Sequence, residues 1–170
     1  MAIYRIKQFF WAFFSKITED DIKFINEKLN IDEREYFFRL SKGEVKHCIR
    51  IAKAIDENYY EFYKNTDDKN HKKNIVKVAL MHDIGKINKR LNIIDKSILV
   101  ILGKITRNRI KKYSNIKKIN VYYNHAAMGE PILRKLNYDE YWIDVIKNHH
   151  KHNQVKNKDI LVLQHFDNMN

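Results

Sequence analysis

The chain reads as a succession of helical stripes. From Val45 onward, apolar residues recur at helical spacing through Cys48, Ile49, Ala52, Ile55, Tyr59 and Phe62, with His47, Ile51 and Ala54 along the adjoining edge. Ser41 and Glu44 ahead of this stripe have the spacing of an N-cap and its reciprocal acid. So do Thr18 with Asp21 and Asp32 with Glu35, and helices are predicted to open near residues 19, 33 and 42. A further helix is predicted over 72–83, where "KVALM" runs into His82 and Asp83, and others over 93–105, 128–136, 138–149 and 157–168. "KNTDDKNHKK", Lys64 to Lys73, reads as a polar loop leading into the 72–83 helix. Pro131 is tolerated in a first turn, which starts a helix near Met128 and leaves His125 just before it; the alternative is a proline kink within a longer helix.

Composition narrows the fold class. One proline and four glycines in 170 residues are too few for a fold built from hairpins and tight turns, so an all-α domain is expected. The length suits one core, with residues 1–40 as an N-terminal helical extension packed on a main domain of residues 41–170. No internal repeat, Gly/Ser linker or run of 18 apolar residues is present, so no transmembrane segment is expected. The single cysteine, Cys48, excludes an internal disulfide and reads as a packing residue; with no targeting signature, a cytoplasmic location is expected.

The formal net charge of +12 points to an anionic partner without choosing among phosphate compounds, nucleic acid and membranes. "KITRNRIKKYSNIKK", Lys104 to Lys118, carries seven basic residues. A solvated face is the simpler reading, and a guide for polyanions, nucleic acid included, the less favoured one. The aromatic "FFWAFF" within residues 3–17 reads first as part of a helix covering the core, and second as a peripheral membrane contact.

Candidate chemistry lies in the polar residues on the inward stripes. A buried carboxylate such as Asp83 costs several kcal/mol unless something pairs with it. His149 continues the stripe of Trp142, Val145 and Ile146, with His150 beside it, and Asp167 continues Ile160 and Leu163. His125 stands one turn ahead of Gly129. Together with His47 and His82, these residues come from five segments that can face one interior. Imidazoles and carboxylates in such numbers cannot satisfy one another, whereas one or two divalent cations would. The mixed ligands suit Fe, Mn, Zn or a similar ion better than Ca or Mg. Asp83 is placed to bridge ions or orient water. Lys86 either reaches a phosphate oxygen or answers a helix C-terminal dipole. Arg50, one turn after His47, either points at substrate or has a supporting or surface role. His71, His152 and His165 read as surface or loop residues.

The order His47, His82-Asp83, Asp167 resembles the HD superfamily of metal-dependent phosphohydrolases, and "HDIGK" has the form found in its HDIG and HD-GYP branches. "HCIRIAKAI" is similar to the family's first-histidine helix, "NHAAMGEPIL" to its His-x3-Gly element and "IKNHH" to its paired histidines. The resemblance covers residues 44–167 and makes the main domain an HD domain. It implies that His47, His82, Asp83 and Asp167 bind one divalent transition metal, while His125, His149 and His150 help hold a second. The only proline is Pro131, so the Gly-Tyr-Pro signature of cyclic-di-GMP phosphodiesterases is absent. The implied activity is hydrolysis of a phosphate ester or anhydride, of a nucleotide or another phosphorylated small molecule. The alternative is an HD-fold module that binds a nucleotide for signalling or scaffolding without turnover.

Overall fold

A computed structural model describes residues 16–64, 68–89, 91, 93–151 and 156–169. The fold is all-α: among the described residues every regular element is helical. In chain order the α-helices are α1 (Glu19–Lys28), α2 (Ile31–Phe37), α3 (Lys42–Phe62), α4 (Lys69–Met81), α5 (Ile93–Ile105), α6 (Lys117–Met128), α7 (Glu130–Lys135), α8 (Glu140–Asn148) and α9 (Lys158–Met169). Two short 3-10 turns, Ile84–Asn88 and Arg109–Tyr113, follow α4 and α5. The aromatic segment assigned above to the core or a membrane falls almost wholly outside the described residues.

Local chemistry sets the helix starts. Thr18 with Asp21 and Ser41 with Glu44 form reciprocal capping boxes and open α1 and α3. The second start differs from expectation: Asn30, not Asp32, caps α2, and Glu33, not Glu35, returns the hydrogen bond. Both pairs have the right spacing. The Asn30 register wins because it leaves Leu29 in the core and lets the buried Glu33 carboxylate meet Lys77 of α4. Similarly, Asp21 is buried between Lys46 and Lys53 of α3, with Lys53 Nζ at 2.8 Å. α1 and α2 are thereby tied to the α3–α4 pair by charge as well as by Ile25 and Phe37, both fully buried.

α3 buries the predicted stripe, with Val45, Cys48, Ile49, Ala52, Ile55 and Tyr59 all at 2 % exposure or less. α4 packs along it through Ile75, Val76, Val78 and Ala79, and α8 and α9 close the same core through Val145, Ile146, Val162 and Leu163. α4 begins earlier than expected because the Asp68 carboxylate accepts the N–H groups of Asn70 and His71. Part of the predicted polar loop is therefore helix, and His71 is not a surface residue. Its Nδ1 lies 2.9 Å from the Tyr59 hydroxyl and its Nε2 3.2 Å from the Asp159 carboxylate. The signal was present, since His71, Ile75 and Val78 continue one helical stripe. His152 lies outside the described residues, and His165 is exposed as expected.

Two boundaries shape the site. α4 stops at Met81, and Asp83 leaves helical geometry with φ −95° and ψ 7°, so His82 and Asp83 sit in a turn rather than on the helix. The expectation for His125 is corrected as well. It lies inside α6, in its last turn, and α6 meets α7 at Gly129 with Pro131 in the first turn of α7. A smaller core, built on Leu91, Leu99, Ile110, Ile119 and Val121, lies under the segment from α5 to α6.

Candidate metal centre

The turn after α4 packs on the end of α6 at unusually close range. A Cβ built on Gly85 would stand 1.9 Å from the carbonyl oxygen of His125 and 2.7 Å from the amide nitrogen of Gly129. Neither glycine is needed for a left-handed backbone; no glycine has positive φ. Their role is approach: only a bare backbone lets the 84–88 turn touch α6, and that contact brings Asp83 Oδ1 to 3.1 Å from His125 Nε2.

Around this contact the structure gathers His47, His82, Asp83, His125, His149, His150 and Asp167. They form two sets of potential ligand atoms, each within 4.8 Å of one another: His47, His82 and Asp167 in the first, His125, His149 and His150 in the second. Asp83 spans them. One carboxylate oxygen faces His125, and the other lies 3.6 Å from His82 Nε2 and 4.0 Å from His47 Nε2. Asp167 Oδ1 is 3.0 Å from His47 Nε2 and 3.8 Å from His82 Nε2, while its Oδ2 is 4.0 Å from His150 Nδ1.

The rings are aimed by the backbone. Nδ1 of His82 lies 2.8 Å from the Ala79 carbonyl, that of His125 3.1 Å from Val121, and that of His149 against Ile146. A carbonyl can only accept, so each Nδ1 carries a hydrogen and each ring turns its Nε2 to the interior, the usual orientation of a ligating imidazole. Nε2 of His82 and of His149 are buried without a hydrogen-bond partner among the described residues. His150 Nε2 faces His125 Nε2 at 2.9 Å. Orphaned imidazole nitrogens converging beside two carboxylates fit divalent cations.

Electrostatics agree with that fit. Burial alone would raise the Asp83 carboxyl, but the Lys86 ammonium, and after it His82 and His125, hold it well below the usual carboxylate range. Asp167 is likewise held down against its burial, first by its hydrogen bond with His47 and then by His82. Burial would lower Lys86, and Asp83 more than reverses this. Lys86 pairs directly with Asp83, so it answers a carboxylate rather than the end of a helix. Burial, and next the Asp83 charge, push the Cys48 thiol well up, so it walls the site as a packing residue.

Beside the centre lies a cavity of about 340 Å³ whose lining includes Lys86, Lys96, Lys111, Tyr122, Tyr123 and His125, with no acid among the described residues that line it. Lys96 is held by Glu44 at 3.0 Å, and Lys111 lies over the Tyr123 ring at 5.1 Å. Lys96 and the tyrosine pair escaped the sequence reading because a lysine on a helix of a strongly basic chain carries no local signal. Arg50 is not brought into this cavity; its Nε and Nη2 are buried with no hydrogen-bond partner among the described residues.

Two of the imidazoles are held neutral. Burial first, then His82 and His150, pushes His149 well below the ordinary range, and partial burial with the neighbouring His125 brings His150 from 6.5 to about 4. Since the folded value lies below the unfolded one, the unfolded chain takes up protons first. Stability present above about pH 6.5 is then lost as pH falls toward about 4. Thermal melts of metal-free protein should show their midpoint dropping across this window. A midpoint flat through it would mean that these rings are not held neutral. Set against known proteins, the chain matches no family model, no curated protein and no solved structure.

Proposed function

We propose that this chain is a metal-dependent phosphohydrolase of the HD type, acting on a phosphate ester or anhydride of a nucleotide. The observation that carries the reading is the adjacency of converging imidazole and carboxylate ligands to a cavity whose charged walls are lysines. His47, His82, Asp83 and Asp167 would hold one ion and His125, His149 and His150 a second, with Asp83 offering an oxygen to each. Such ions supply Lewis-acid polarisation of phosphoryl oxygens and activation of water. Imidazole-rich ligation favours Fe, Mn or a similar transition ion.

The side chains around the centre have separable tasks. Lys96 and Lys111 attract and align the anionic substrate, and the Tyr122 and Tyr123 rings offer an apolar face against which a base or another flat group can rest. The Lys86 ammonium, held charged by Asp83, stands where negative charge would build on the phosphoryl oxygens.

Metal analysis of the purified protein, followed by a hydrolysis screen over nucleotides, dinucleoside polyphosphates and cyclic dinucleotides with added Mn or Fe, tests the reading. The expected result is bound transition metal and turnover of at least one class. Lys86→Ala should then lower kcat by roughly 10²-fold at unchanged metal content, the usual cost of one donor to a transition-state oxygen. Metal and nucleotide binding without turnover of any class would leave a binding module in place of an enzyme.

A further inference from the structure

Among the described residues, helix α5 is anchored along one side only. Leu99 is 5 % exposed and Gly103 is buried, with a Cβ on Gly103 falling 2.8 Å from the Tyr123 hydroxyl. The other side is aliphatic and open: Ile98, Ile101, Leu102 and Ile105 form one helical stripe, with Ile101 55 % and Ile105 73 % exposed. At its end Arg107 and Asn108 adopt left-handed backbone, φ 47° and 61°, turning the chain into the 109–113 segment. An open groove of about 790 Å³ runs there, floored by Leu102, Ile105, Ile110 and Ile119 and rimmed by Arg107 and Arg109. From Lys104 to Lys118 the sequence carries seven basic residues and no acid.

We infer that the open face of α5, together with the 109–113 turn, docks on an anionic lipid bilayer. An apolar stripe beside a basic rim places aliphatic side chains at the acyl boundary and cations among acidic headgroups. Tyr113, 49 % exposed at the groove, suits the interface between them. Charge selects this occupant. A second copy of the chain would bring an equally basic rim to an isologous contact and repel it. Nucleic acid would answer the arginines but not the isoleucines, since its backbone offers nothing aliphatic to bury. The surface is distinct from the metal centre. It adjoins the lysine-lined cavity through the 109–113 turn, whose Lys111 lines that cavity while Lys112 and Tyr113 line the groove.

The test uses the full chain and sedimentation with vesicles of phosphatidylcholine alone or of equal parts phosphatidylcholine and phosphatidylglycerol. Binding to the anionic vesicles only, weakened by salt, is expected. Ile101→Asn/Ile105→Asn and, separately, Arg107→Glu/Arg109→Glu should each lower the partition coefficient about tenfold or more. All four positions are exposed, so melting profiles should match the parent protein. Absence of binding to either vesicle overturns the inference. So does a parent-like Ile101→Asn/Ile105→Asn variant where Trp11→Asp/Phe13→Asp abolishes binding, which would place the anchor in the N-terminal aromatic segment. Duplex DNA binding lost in the arginine variant but kept in the isoleucine variant, with no vesicle binding, would make the surface a nucleic-acid site. A dimer in solution that the isoleucine variant dissociates, again without vesicle binding, would make it a subunit interface.

Discussion

If the centre holds the two ions proposed, replacing Asp83 with asparagine is expected to empty it of both, a larger effect than the loss of any other single residue. The reason is position. Asp83 offers one oxygen to the His125 side and the other to the His82 and His47 side, so both sets of ligands share its charge. Losing a partner outside the ligand shell typically weakens a metal site 10–100-fold, and losing a shared anionic ligand should exceed about 100-fold. His149→Ala touches only the second set and should leave the first ion in place. Metal content by elemental analysis and Mn titration by calorimetry will read both variants, with circular dichroism to confirm folding. Two ions retained by Asp83→Asn would show that the carboxylate is a structural partner of Lys86 and no bridge.

The second large effect is expected at a residue with no side chain. Gly85→Ala would drive a methyl group into the His125 carbonyl oxygen and the Gly129 amide, both of them backbone atoms with no flexible end to move aside. The 84–88 turn must then lift from α6, at the upper end of or beyond the ~1–3 kcal/mol of an ordinary overpacked core. Asp83 would move away from His125 with it. Gly129→Ala is the milder comparison: its Cβ would stand 3.0 Å from a side-chain methyl of Ile84 and no closer than 3.4 Å to backbone. Urea unfolding of the metal-free proteins should rank Gly85→Ala well below Gly129→Ala and the parent. Equal stabilities for the two glycine variants would refute the close-contact explanation.

How far the chain could be read in advance depended on the range of each signal. The α3 stripe, the capping box of Ser41 and Glu44, and the collection of histidines and aspartates are short-range or periodic patterns, and the structure brings those side chains together. Competition between registers hid the Asn30 cap, because two boxes of equal spacing overlap and a long-range ion pair from Glu33 to Lys77 decides between them. The α6 helix was hidden by Pro131, which suggested a start where there is a junction. Lys96, Tyr122 and Tyr123 became visible only when distant segments formed one cavity wall. Nothing along the sequence announces that Gly85 and Gly129 face each other across 44 positions.

One helix links the two ends of the domain. Near its first turn α9 carries Asp159, whose carboxylate meets the hydroxyls of Tyr63 and Tyr141 and lies 3.2 Å from His71; two turns on, about 12 Å along the axis, it carries Asp167. The other six candidate ligands come from α3, the turn after α4, α6 and the end of α8. The first ion of the proposed pair would lose one of its four protein ligands whenever α9 withdraws, and α9 is fastened at its far end by hydroxyls and an imidazole outside the ligand set. On that reading, the residence time of this ion would be set at a distance, by how long the aromatic clasp around Asp159 stays shut.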